Sequence, residues 1–261
     1  NFHKLFGRPP RKPDKEKITQ FHMDIASSIQ KVIEDIMIKL VEGIKEKYKL
    51  ENLCLAGGVA LNCVANGKIL KKNIFKNIWV QPAAGDAGGS LGAALAMWYI
   101  EENNKRIVNK NDDMNGSFLG PEYSQNDIEK YLDKIGGKFT ILNTEELIER
   151  TADQISKGKA IGWFQGRMEF GPRSLGSRSI LGDPRSSSMQ KNLNLKVKFR
   201  ESFRPFAPSV LIDKVSEWFE LDIQSPYMLF VANINKLKKQ EMTIKEKKLF
   251  GIEKLNIKRS D

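Results

Sequence analysis

What most narrows the fold is a unit that occurs twice between Asn52 and Ile100. A short apolar run, Asn52-Leu-Cys-Leu-Ala56, leads into Gly57-Gly58 and then into Val59-Ala-Leu-Asn-Cys-Val-Ala-Asn66. A second run, Ile78-Trp-Val-Gln81, leads into a loop through Pro82, Gly85, Asp86, Gly88 and Gly89, and then into a helical stretch from about Ser90 to Ile100. Each reads as strand, tight glycine turn and helix. Such units in series bury their strands only in an α/β layer architecture. Ahead of them, apolar residues at Ile18, Phe21, Ile25, Ile29, Val32, Ile36, Leu40 and Ile44 recur at spacings of three and four, which predicts one long amphipathic helix.

Between Glu101 and Asn115 the chain turns polar and rich in Asn, Asp and Lys, which places a boundary between a first unit, residues 1–110, and a second, residues 111–261. In the second, Thr144 is an N-cap candidate. Leu147, Ile148, Ala152 and Ile155 share a helix face, and Gly158 follows the last turn. A strand is expected at Ala160–Phe164. After a segment dense in arginine and glycine, another is expected at Ser209–Ile212, with a helix to about Glu220. The lysine-rich stretch from Asn235 to Asp261 predicts neither a fold nor a function.

Lys plus Arg is 43 against 32 for Asp plus Glu, a formal charge of +11, so nucleic acid, phosphorylated metabolites and acidic surfaces are all candidate partners. The two cysteines, Cys54 and Cys63, form no metal-binding or disulfide pattern, and a reducing, cytoplasmic setting is expected. No apolar run approaches the roughly 20 residues of a membrane span, and the first residues have no signal-peptide core, so no membrane partner is expected. The chain has no initiator Met and is expected to be a piece of a longer protein.

Three segments carry candidate chemistry. In Ala56-Gly57-Gly58-Val59-Ala60-Leu61-Asn62 the paired glycines allow backbone N–H groups to approach a phosphate, or else only allow the strand to pack against its helix. In Gln81-Pro-Ala-Ala-Gly-Asp86-Ala-Gly-Gly-Ser90 the carboxylate can reach a metal, or can serve as a helix N-cap. Two such loops at equivalent strand ends favour one shared site. The third segment, from Gly162 to Phe206, holds six of the chain's eleven arginines: 167, 173, 178, 185, 200 and 204. Arginine forks set among Gly, Pro and Phe suit phosphate or carboxylate, and the plainer alternative is a solvated basic face. Of the two histidines, His3 and His22, neither suggests a catalytic pair.

Together, Leu55-Ala-Gly-Gly-Val-Ala-Leu-Asn62, Pro82-Ala-Ala-Gly-Asp-Ala-Gly-Gly89, Gly166-Arg-Met-Glu-Phe-Gly-Pro-Arg-Ser-Leu-Gly176 with Arg178-Ser-Ile-Leu181, and Phe199-Arg-Glu-Ser-Phe-Arg-Pro-Phe-Ala-Pro208 resemble the NodU/CmcH family of O-carbamoyltransferases. The resemblance runs in order from about Phe2 to Ala232. It implies the second half of an actin-like (ASKHA) ATPase-fold domain followed by a YrdC-like α/β domain. The implied activity uses ATP and carbamoyl phosphate to make carbamoyl-adenylate and passes the carbamoyl group to a hydroxylated small-molecule acceptor.

By the same resemblance, Gly57, Gly58 and Asn62 with Gly88 and Gly89 would contact nucleotide, and Asp86 would bind a divalent metal, iron or magnesium. Arg167, Arg173, Arg178, Lys198, Arg200 and Arg204 match the basic motifs of the YrdC-like half. A homodimer is admitted as the assembly. Two features of the family pattern have no counterpart here: an upstream His-x-x-x-His pair of the metal site and a later His-Val-Asp-Gly-like motif. The alternatives kept open are a basic nucleic-acid-binding protein, a tRNA-modifying threonylcarbamoyl-type enzyme, and a plain actin-like ATPase or kinase.

Overall fold

The three- and four-residue apolar spacing produces helix α1, Gln20–Tyr48. It starts at Thr19, whose backbone N–H donates to His22 Nδ1 at 3.0 Å, and ends at Lys49 in the left-handed conformation (φ 53°). The computed structural model describes residues 2–109, 111–255 and 257. Expectations touching residue 1, the unit boundary at residue 110 and the end of the lysine-rich tail therefore lie partly outside the described residues.

The anticipated stripe of α1 is not the face that packs. Met37, Ile38 and Val41 meet Leu53, Ile69 and Phe75, whereas Ile29, Val32, Ile36 and Leu40 are exposed. Met37 and Val41 each lie one position, roughly 100° of rotation, from the exposed Ile36 and Leu40, so α1 carries two apolar faces.

Both strand–turn–helix units form. Strand β1, Asn52–Leu55, pairs in parallel with β2, Asn77–Val80, setting Leu53 opposite Ile78 and Leu55 opposite Val80. The parallel pairing is made through helix α2, Cys63–Lys71. The helix expected from Val59 onward is broken. Gly58–Leu61 is a 3₁₀ turn, and Asn62 (φ −76°, ψ 85°) leaves helical geometry so that its carboxamide oxygen can accept from Ala65 N at 3.1 Å and cap α2. Helix α3, Asp86–Ala96, starts ahead of Ser90 and runs into a π turn at Met97–Glu101.

Beyond the polar stretch come α4, Gln125–Lys134, and α5, Thr144–Ser156. The cap of α5 is Asn143 rather than Thr144: Glu146 N donates to Asn143 Oδ1 at 3.0 Å, and Asn143 N to Glu146 Oε2 at 3.4 Å. Strand β3, Ile161–Phe164, pairs antiparallel with β4, Arg178–Leu181, inside the arginine-rich segment. The strand expected at Ser209–Ile212 does not form. Among the described residues Leu211 and Ile212 find no partner strand; both are exposed, and the helix expected to about Glu220 shrinks to a 3₁₀ turn at Ile212–Lys214 and a single α-helical turn at Val215–Trp218.

One core joins distant parts of this α/β chain. Ala60, Val80, Ala84, Met114, Tyr227 and Leu229 are buried together, with Leu55, Leu61, Phe170 and Leu175 packed against them. Asn66, fully buried, donates from Nδ2 to Ala60 O at 2.7 Å and to Leu229 O at 3.0 Å. Among the described residues no helix is long and apolar enough to cross a membrane.

Candidate functional site

The two glycine loops meet. Gly57 adopts φ 96°, a conformation that favours glycine, and its N–H donates to Ala84 O at 2.8 Å, fastening the first turn to the second loop. Pro82, Ala83 and Ala84 beneath are buried. A Cβ at Gly57, Gly58 or Gly89 would meet nothing within 4 Å, so these backbones face open space. Gly88 differs: a Cβ there would run into the Ala83 carbonyl, so its glycine lets α3 approach the loop.

Asn62 is engaged on two sides. Besides capping α2, it exchanges hydrogen bonds with Gln30 of α1, Nδ2 donating to Gln30 Oε1 at 2.9 Å and Oδ1 accepting from Gln30 Nε2 at 3.2 Å. Asp86, the first residue of α3, is exposed. Among the described residues there is no group of three His, Cys, Asp or Glu able to hold a metal ion. Asp86 offers one oxygen ligand, and by itself this does not fit a metal site.

The loop from β3 to β4 is organised by Glu169, whose side chain is fully enclosed. Its carboxylate accepts from Leu175 N at 2.6 Å, Ser177 N at 2.9 Å and Arg178 Nε at 3.1 Å, while Arg178 Nη2 donates to Gly171 O at 2.9 Å. Burial pushes the Glu169 carboxyl up, but the backbone amides and the Arg178 guanidinium outweigh it and hold the group below the usual carboxylate range.

The loop so closed is laid onto the glycine loops. Gly171 (φ 124°) is so near that a Cβ would stand 3.3 Å from Pro82 O, and Arg173 Nη2 donates to Leu61 O at 3.2 Å. Gly57, Gly58, Asn62, Asp86, Gly88, Gly89 and Arg173 thus belong to one neighbourhood.

The other arginines are placed differently. Arg167 donates to Gly120 O at 3.1 Å and lies 3.6 Å from Glu122. Arg185 is paired with Asp183 at 2.8 Å and Arg204 with Glu201 at 2.8 Å. Arg200 lies 5.0 Å over the Phe206 ring and donates from Nε to Asn194 Oδ1 at 2.6 Å. Lys198 is exposed on the same segment. Asn194, buried, holds this segment by donating to Ser202 O at 3.1 Å and Arg204 O at 2.8 Å. Gln30 and Asn194 carry no signal in the sequence. One signal was present for Glu169, the sole acid between Gly162 and Gly182 in a stretch with three arginines.

Comparison with known proteins decides the family. A model described as carbamoyltransferase N-terminus matches residues 1–95, and one described as carbamoyltransferase C-terminus matches residues 152–246. The chain belongs to the carbamoyltransferase family. The N-terminal match contains both glycine loops, and the C-terminal match contains the Glu169 loop and the segment held by Asn194.

Among similar proteins, the uncharacterized protein sll1178 of Synechocystis sp. is 54% identical over 261 residues, 99% of this chain and 42% of its own length. Nodulation protein NolNO of Sinorhizobium fredii is 42% identical over 225 residues, 85% of this chain and 32% of its own. Nodulation protein U of Rhizobium tropici is 30% identical over 210 residues, 79% of this chain and 34% of its own. The chain thus spans less than half the length of these relatives.

Proposed function

We propose that the chain is the nucleotide- and carbamoyl-phosphate-handling part of an ATP-dependent O-carbamoyltransferase. The observation that carries this reading is the convergence of three motifs, the Gly57–Asn62 turn, the Pro82–Gly89 loop and the Gly171–Arg173 loop, with glycine backbones open to space beside a guanidinium. In this reading residues 1–110 and 111–261 correspond to an actin-like and a YrdC-like unit sharing the core described above.

Carbamate is a poor electrophile until its oxygen becomes part of a good leaving group. Water cleaves the P–O bond of carbamoyl phosphate to give phosphate and carbamate, and the carbamate oxygen then attacks the α-phosphorus of ATP and expels pyrophosphate. The hydroxyl of a small metabolite or sugar then attacks the carbamoyl carbon, gives up its proton, and AMP departs. Arginine and lysine side chains would neutralise the phosphates that move in these steps. Asp86 alone does not make a site for the divalent ion, iron or magnesium, that the resemblance implies.

The test is pyrophosphate release when the purified protein meets ATP and carbamoyl phosphate together, with calorimetric titration of each compound alone. Release that needs both compounds supports the reading. Absence of release together with absence of binding to either compound rejects it.

A further inference from the structure

The six arginines between Arg167 and Arg204 look alike in sequence and differ in how their charge is met. Arg167, Arg178, Arg185 and Arg204 each lie against a carboxylate, of Glu122, Glu169, Asp183 and Glu201 respectively. Arg200 has an amide and an aromatic ring. Arg173 is half-buried, and among the described residues its one hydrogen bond is to the Leu61 carbonyl and no carboxylate pairs with it. Its Nε is sealed from solvent with no acceptor. A half-buried cation with no counter-charge is costly in the free protein, and an anion that supplied the charge would repay that cost.

The position of Arg173 says which anion. Leu61 closes the turn that begins at Gly57–Gly58, and Gly171 rests on the Pro82–Ala83 backbone just before Asp86. Glu169 and Arg178 fix the loop from behind, so the guanidinium is held in place rather than swinging in solvent. With Nη2 spent on Leu61 and Nε enclosed, Nη1 is the donor that remains neither bonded nor sealed. It stands beside a turn whose glycines face open space.

We propose that Arg173, although carried by the arginine-rich loop, is a phosphate ligand of the nucleotide at the glycine-loop site, and that carbamoyl phosphate is left to Lys198 and Arg200. Three cations without carboxylate partners among the described residues, on two separately anchored segments, then serve two phosphorylated substrates. The inference rests on the reading that the glycine loops take ATP.

The experiment measures affinity by calorimetry for two probes, a nonhydrolysable ATP analogue with Mg²⁺ and carbamoyl phosphate, on the wild-type chain and on Arg173→Gln, Arg173→Lys and Arg200→Met. Glutamine removes the charge and falls short of the Leu61 carbonyl, whereas lysine keeps the charge on a long side chain, so a merely structural Arg173 would lower the melting temperature of Arg173→Gln and leave the affinity of the folded protein unchanged. The expected result is a 10- to 100-fold loss of analogue affinity in Arg173→Gln, at about 1.4 kcal/mol per tenfold, a smaller loss in Arg173→Lys, and carbamoyl phosphate affinity unchanged in both. Arg200→Met should show the opposite pattern. If Arg173→Gln binds the analogue as the wild type does, or loses carbamoyl phosphate instead, the assignment is wrong while the ATP reading stands. If the wild-type chain takes up no analogue, the ATP reading falls and the assignment with it.

Discussion

Replacing Glu169 tests whether the Gly171–Gly176 loop owes its shape to one buried carboxylate. Glu169→Ala strips the acceptor from Leu175 N and Ser177 N and leaves the 35%-exposed Arg178 side chain without its partner. A buried donor left unpaired costs about 1–3 kcal/mol, and removing one member of a buried ion pair about 3–5 kcal/mol. These overlap rather than add, so about 3–4 kcal/mol is expected. Glu169→Gln keeps one oxygen but turns an amide toward a donor, for a loss of about 2 kcal/mol. The internal comparison is Glu122→Gln, which breaks a 3.6 Å contact between half-exposed partners and should cost under about 0.5 kcal/mol.

Urea unfolding monitored by tryptophan fluorescence measures all three variants. A fall in midpoint at constant slope reports lost stability. Because the folded carboxyl is held below its ordinary value, its contribution is fully present above about pH 4.3 and disappears as pH falls through the folded value. The acid limb of the wild-type stability curve should therefore be steeper than that of Glu169→Gln. Losses below about 0.5 kcal/mol in both Glu169 variants, or identical acid limbs, would refute the idea that this carboxylate organises the loop.

Two further outcomes are expected. Gly67 lies under the Val231 carbonyl, so Gly67→Ala, which in an open helix would add about 1 kcal/mol, should instead lower the melting temperature through about 1–3 kcal/mol of overpacking; a rise would show that the contact yields freely. Burial, then the hydrogen bond to Asp112, raises the Tyr227 phenol to about 12, so its contribution to stability is complete below pH 10 and is lost as pH climbs toward that value. An absorbance titration should find a late tyrosine step that vanishes in Tyr227→Phe, and a wild-type titration complete by pH 11 would contradict it.

The parallel strand–turn–helix pair was legible because its signals are local: an apolar run, a glycine pair, a helical stretch. The interruption at Asn62 was not, since it depends on a carboxamide turning back to cap α2 and on Gln30 arriving from another helix. Strand β4 hides in sequence read for its charge, and only pairing with β3 makes it a strand. Ser209–Ile212 has strand composition and, among the described residues, no neighbour to pair with. For the arginines, sequence revealed the cluster but could not reveal which charges are answered. Glu122 answers Arg167 across the fold, whereas Arg173 reaches a carbonyl 112 positions away.

The closure of the core by Tyr227, Leu229 and Phe230 also bears on how such a chain comes off the ribosome. Asn66 waits for the Leu229 carbonyl, 163 positions later. At about 5–20 residues per second that is a delay of roughly 8–30 s during which the β1–β2 layer has emerged but cannot be sealed. Until the Phe170–Leu175 loop has followed, the Val80–Ala84 surface has no lid at all, and a nascent chain stalled before residue 170 should be held by apolar-binding chaperones and cut readily by protease.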